Sequence, residues 1–313
     1  MTAIVLAVII LGLATLLTTA TITEVRSPDD PTTDVTELDR IALDIERGAA
    51  GLAGHINADG PHSSVEAVNT SLAASFDTYD SYLYEAMADR RATLGTIDFQ
   101  EIVAVGSHLI DSNRSNSIAF DGSDDAVIID PADSAPLAFL ELSVALDSLG
   151  ETPEDTLEVV ITGEDRTNHV LLYDQPTDGP TIELRDDTGE SIETITCEGG
   201  PYLDLHLIEL DGVSADCQLD PFTGLSPIDE TGYGLTIRNG STVSGGLQLI
   251  AGAPPERLDH IDETSTTGSV SPIAWSIELG LTQSARAGIR QVSTTIEVYN
   301  HPASIEASEV SWG

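Results

Sequence analysis

The chain has 313 residues, 53 acidic and 12 basic, and a formal charge of −41. With so few cations, all of them arginine, there is no basic patch to neutralise phosphates, which excludes a nucleic-acid partner. Hydrophobic residues make up 41% of the chain and alternate with the acids, which excludes a disordered acidic tail and predicts a folded body with an acidic surface.

The opening "MTAIVLAVIILGLATLLTTATITEVRS" contains an uncharged run, Ala3–Ile22. As a helix this run is roughly 30 Å long, the thickness of a hydrocarbon core. No Lys or Arg precedes it and it exceeds the core of a cleaved signal, so the sequence predicts a retained span or a filament helix over residues 1–25. Its partners are then the lipid bilayer or other apolar N-terminal helices. Arg26 is the first basic residue after it, a weak topological signal that long domains override. The cysteines and the glycosylation sequons place the C-terminal region outside the cell, as a single-pass membrane protein.

"RSPDDPTTD" (residues 26–34) reads as a Pro- and Asp-rich hinge. A helix is expected from Asp34, an N-cap with Glu37 three positions on. Leu38, Ile41, Ile45, Ala49, Leu52 and Ile56 then form one apolar stripe, and Val65, Val68, Leu72, Phe76, Tyr79, Leu83 and Met87 a second beyond the break "NADGPH". Together they predict a helical hairpin over residues 35–97.

From residue 98 to 313 the hydrophobic period changes to two. "TLEVVIT", "HVLLYD", "TIELRDD", "PIAWSIELGL" and "RQVSTTIEVYN" read as strands. Asn239-Gly240 between "GYGLTIR" and "GGLQLIAG" is a hairpin signal. The fold class is thus α+β: an N-terminal transmembrane or pilin-like helix, a helical hairpin and an antiparallel, sandwich-like β-head.

Cys197 and Cys217 are the two cysteines. They read as a disulfide, free thiols or part of a metal site; no C-x-x-C or histidine pair supplies further ligands. In an oxidising exterior a bridge between them would stabilise the head by about 3 kcal/mol. Sequons occur at Asn69, Asn113 and Asn239. In "FDGSDD", Asp121, Asp124 and Asp125 offer hard oxygens to Ca2+ beside a glycine turn, with a solvated turn as the alternative. His55, His62, His108, His169, His206, His260 and His301 show no ligand spacing. No motif of nucleophilic, metal or nucleotide chemistry occurs, so the expectation is a non-enzymatic protein without a resident cofactor.

Two resemblances add to these readings. "SIAFDGSDDAVIID" resembles the opening strand of laminin-G or concanavalin-like jelly rolls, which implies a membrane-tethered glycan-binding module. "LATLLTTATITEVRS" followed by "VTELDRIALDIERGAAGLAGHIN" resembles a family of haloarchaeal pilin-like, membrane-anchored surface proteins, although the basic segment of that family is missing before the run. The acidic composition is similar to that of haloarchaeal proteins. That resemblance implies a subunit or accessory protein of type IV pilus-like machinery, with pilus or surface-layer partners and no catalytic residues.

Overall fold

In the computed structural model the described residues are 31–59, 61–87, 93–111, 125–153, 156–197, 200–206, 219–228, 232–258, 268–285 and 288–297. Two helices come first, α1 (Pro31–Asp59) and α2 (Val65–Met87). Twelve strands follow: β1 (Thr93–Asp111), β2 (Asp125–Ile129), β3 (Leu137–Ala145), β4 (Leu157–Thr162), β5 (Thr167–Gln175), β6 (Gly179–Arg185), β7 (Ser191–Thr196), β8 (Tyr202–His206), β9 (Gly234–Arg238), β10 (Gly245–Ala251), β11 (Gly268–Ala285) and β12 (Gly288–Glu297). All the pairings are antiparallel, in two six-stranded sheets ordered β12-β11-β1-β10-β3-β8 and β2-β9-β4-β5-β6-β7.

The helix stripes are buried as their spacing demands. Ile41, Ile45, Ala49, Leu52 and Ile56 of α1 meet Val68, Leu72, Phe76, Tyr79 and Leu83 of α2 in one core. Helix α1 begins at Pro31, earlier than the expected N-cap at Asp34. Proline fits a first helical turn because its missing N–H would have no intrahelical acceptor there. Gly48 lets the two helices approach closely: a Cβ at that position would lie 2.0 Å from the Tyr79 hydroxyl oxygen. Burial, with Asp44 nearby, pushes the Tyr79 phenol up to about 12.

The first sheet is longer than the second, and its inner face carries two covers side by side. One end packs Leu109, Leu140, Leu142 and Leu249 against Val159, Ile161, Leu172 and Ile182 of the second sheet. On the other end, Ile97, Phe99 and Ile102 of β1 and Ile277, Leu279 and Leu281 of β11 lie under the two helices. Phe76 stacks on Phe99 with ring centroids 4.9 Å apart. Asn57, near the end of α1, fastens this layer: its Nδ2 donates to the Ala274 carbonyl at 2.9 Å and its Oδ1 accepts the Ala274 amide at 3.0 Å.

Register shifts keep Ile97, Phe99, Ile102 and Leu109 on one face of β1. The ladder skips Gly95, Gln100 and Val103 on β1 and Trp275 on β11. Each extra residue is a bulge that resets the two-residue alternation. Trp275 therefore leaves the face of Ile277 and Leu279, with which it alternates in sequence. It joins Ala138, Phe139, Ile250 and Ile273 on the opposite face instead. Its ring lies over Gly106 and Gly252, where a Cβ would come within 2.9 and 2.8 Å of ring carbons.

Three expectations are corrected. Among the described residues no helix is long and apolar enough to cross a membrane, and Ala3–Ile22 lies outside them. The two helices that are described spend their apolar faces on each other and on the first sheet, so nothing among the described residues supports the expected single-pass membrane placement, extracellular C-terminal region, or bilayer or helix partners. The sandwich-like head gives way to two open sheets of unequal length, the longer one carrying the helices on its extension. Finally, Asn239-Gly240 is not a hairpin turn: it joins β9 in the second sheet to β10 in the first. Asn239 takes a left-handed φ of 58°, a 3-10 turn follows, and its Nδ2 donates to the Thr156 carbonyl at 2.9 Å.

Candidate functional site: the outer face of the second sheet

Strands β4, β5, β6 and β9 turn their apolar residues inward at every second position. The alternate positions present Glu158, His169, Glu183, Arg185 and Arg238 on the outer face, around Val160 and Leu171. Register sets their pairing. Arg238 lies opposite Glu158, and His169 lies opposite both Val160 and Arg185.

The charges join in two groups. His169 Nδ1 is 2.6 Å from Glu158 Oε1, and Arg238 reaches Glu158 Oε2 at 3.4 Å. Arg185 grips Glu183 with two hydrogen bonds of 2.9 Å, and the Tyr173 hydroxyl donates to Glu183 Oε2 at 3.3 Å. The His169 hydrogen bond holds the Glu158 carboxyl below the usual range, against its burial, and the Arg238 charge adds to the effect. Glu183 is likewise held low, by its Arg185 hydrogen bonds. Burial, then the Glu183 charge, raises the Tyr173 phenol. Three perturbed groups on one sheet face mark it as a candidate site on physical grounds.

In an acid-coated chain this face is locally balanced, and its ionised partners stay partly open to water. Side-chain exposures are 23% for His169, 31% for Arg185 and 43% for Arg238. Such pairs contribute about 0–1 kcal/mol each to stability.

The sequence-derived candidates fall elsewhere. Asp121 and Asp124 lie outside the described residues, and Asp125 opens β2 opposite Arg238. Among the described residues no group of three or more His, Cys, Asp or Glu side chains could hold a metal ion. Cys197 is buried after β7 and is not free, whereas Cys217 lies outside the described residues. Asn69 sits within α2 and Asn113 lies outside the described residues. Of the seven histidines, His260 and His301 lie outside them, and His169 alone joins this face. His108 is on the outer face of the first sheet, where Gln248 Nε2 donates to its Nε2 at 2.9 Å. Burial lowers the His108 imidazole to about 4, so it is neutral near pH 7.

Comparison with protein-family models, characterised proteins and solved structures found no match for this chain. The pilin-like resemblance and the pilus and surface-layer partners it implied are corrected to no supported family, and no match supports the cell-surface, glycoprotein or haloarchaeal descriptions. The jelly-roll, glycan-binding resemblance has no match to support it either.

Proposed function

We propose that this chain is a non-catalytic interaction protein that presents the outer face of its second sheet to a protein partner. The observation that carries the reading is the pairing of Glu158 with His169 and Arg238, and of Glu183 with Arg185 and Tyr173, around Val160 and Leu171. A net charge of −41 repels most acidic cell proteins at ordinary ionic strength. A face whose charges are already compensated lowers that barrier. A sheet face of this kind offers a flat contact surface rather than an enclosed chamber for chemistry.

Site-specific photo-crosslinking tests the reading. A benzophenone amino acid replaces His169, Arg238 or, as a control on the exposed side of α1, Leu43, which is 44% exposed. In cells of the source organism the first two positions yield a discrete adduct and Leu43 does not. Equal labelling at all three positions, or none at the sheet positions, refutes it.

A further inference from the structure

The outer face of the second sheet is too small to form a stable interface alone. Six strands about 4.8 Å apart and about six residues long cover roughly 500 Å2, against about 800 Å2 per partner in a standard complex. Strand β7, at the rim of this face, supplies more.

β7 pairs with β6 on one side, and among the described residues no strand pairs with its other side. The Cys197 amide donates to the Pro180 carbonyl at 2.8 Å. In an antiparallel ladder, hydrogen-bonded pairs alternate with unbonded ones. Ile195 opposite Ile182 and Glu193 opposite Leu184 share the phase of Cys197. The backbone groups of Thr194 and Thr196 therefore face the open edge, and a register shift at Ile192 ends the alternation. Ile192 is 40% exposed. The β2 edge differs: three of its five residues are buried, and Ile129 bridges to Leu258.

The charge at this edge selects what pairs with it. Glu193 stands opposite Leu184, on the side of the sheet that turns toward the core, at an exposed position. A charge turned inward at an edge guards against indiscriminate pairing. The neighbouring turn brings Asp186, Asp187 and Glu190, and it is held in place: Asp186 Oδ1 accepts from the Thr188 amide and hydroxyl and from the Glu190 amide. A second copy would set acid against acid, whereas a strand carrying cations meets complementary charge.

We propose that β7 accepts an extended segment of the partner protein, with Lys or Arg among β-branched residues, as a seventh strand of the second sheet. This inference rests on the second sheet being the recognition surface and names the chemistry of what binds there.

The probe is a capped octapeptide of alternating Lys and Val, with a Glu/Val counterpart. Both are added to the full chain at molar salt, where a Debye length of about 3 Å suppresses unspecific attraction. Amide exchange is read by NMR. The Lys/Val peptide slows exchange at Thr194 and Thr196, and the Glu/Val peptide does not. Glu193→Lys weakens the Lys/Val peptide by up to about fivefold, the upper size of one exposed charge pair. Thr194→Pro removes an outward N–H and abolishes binding while the unfolding midpoint stays in place. Unchanged exchange with the Lys/Val peptide, or equal slowing by both peptides, overturns the proposal. Slowing that grows with chain concentration in the absence of peptide assigns the edge to a second copy and also overturns it. A silent edge alongside persistent crosslinks from His169 and Arg238 removes the strand-addition proposal and leaves the recognition face standing.

Discussion

Two glycines of α1 make opposite predictions from the same substitution. Ala exceeds Gly in helix propensity by about 1 kcal/mol, so Gly→Ala inside a helix is stabilising where space allows. At Gly51 a Cβ meets nothing within 4 Å, and Gly51→Ala raises stability by up to about 1 kcal/mol. At Gly48 the same Cβ lies 2.0 Å from the Tyr79 hydroxyl and 2.7 Å from Cζ, both under the 3.0 Å that real Cβ atoms respect. The ring of Tyr79, 8% exposed, has to move away from α1 into a packed core, and such overpacking costs about 1–3 kcal/mol. Propensity cancels between the two variants, so their difference isolates the steric cost, about 1–3 kcal/mol. Urea unfolding followed by far-UV circular dichroism measures it. Tyr79→Phe in the Gly48→Ala background recovers part of the loss, because the hydroxyl leaves but Cζ stays. If Gly48→Ala stabilised the chain as much as Gly51→Ala does, the close helix approach would be wrong.

Three further outcomes follow from packing and protonation. Asn57→Ala deprives both backbone groups of Ala274 of their side-chain partner and lowers stability by about 2 kcal/mol; faster exchange of the Ala274 amide checks that the loss is local. Gly106→Ala sets a Cβ 2.7 Å from the Ala251 carbonyl oxygen and 2.9 Å from the Trp275 ring. The carbonyl belongs to a paired strand and cannot swing aside, so the variant unfolds at distinctly lower urea, with altered Trp275 fluorescence. His108 makes stability depend on pH. Its folded value of about 4 lies below the unfolded value near 6.5. The folded chain therefore binds fewer protons, and the contribution present above pH 6.5 is lost as pH falls toward 4. The full loss is about 3 kcal/mol. A urea series between pH 5 and 7 reads it above the range in which Glu158 and Glu183 titrate, and His108→Gln flattens the slope.

Helical periodicity was legible because it depends only on neighbours in sequence. The stripes through Ile45 and Leu72 needed no knowledge of the sheet they cover. Trp275 could not be placed this way: whether it shares a face with Ile277 depends on a bulge, which is a property of the pairing with Ala104 and Val105. Asn239-Gly240 carries the left-handed residue that a tight turn needs, yet the same conformation also serves a crossing between sheets. The candidate face left a trace, since Glu158, His169, Glu183 and Arg185 occupy alternate positions of strands that the two-residue period reveals. What selects Glu158 as the partner of His169 is the register of β4 against β5, and no composition or spacing encodes it.

Amide hydrogen exchange with mass spectrometry, comparing the purified chain with the same chain in its native extract, tests most directly whether the second sheet is the recognition surface. The account predicts slower exchange in the extract across β5, β6 and β7, residues 167–196, with α1 and α2 unchanged. Protection confined to the helices, or exchange identical in the two preparations, would contradict it.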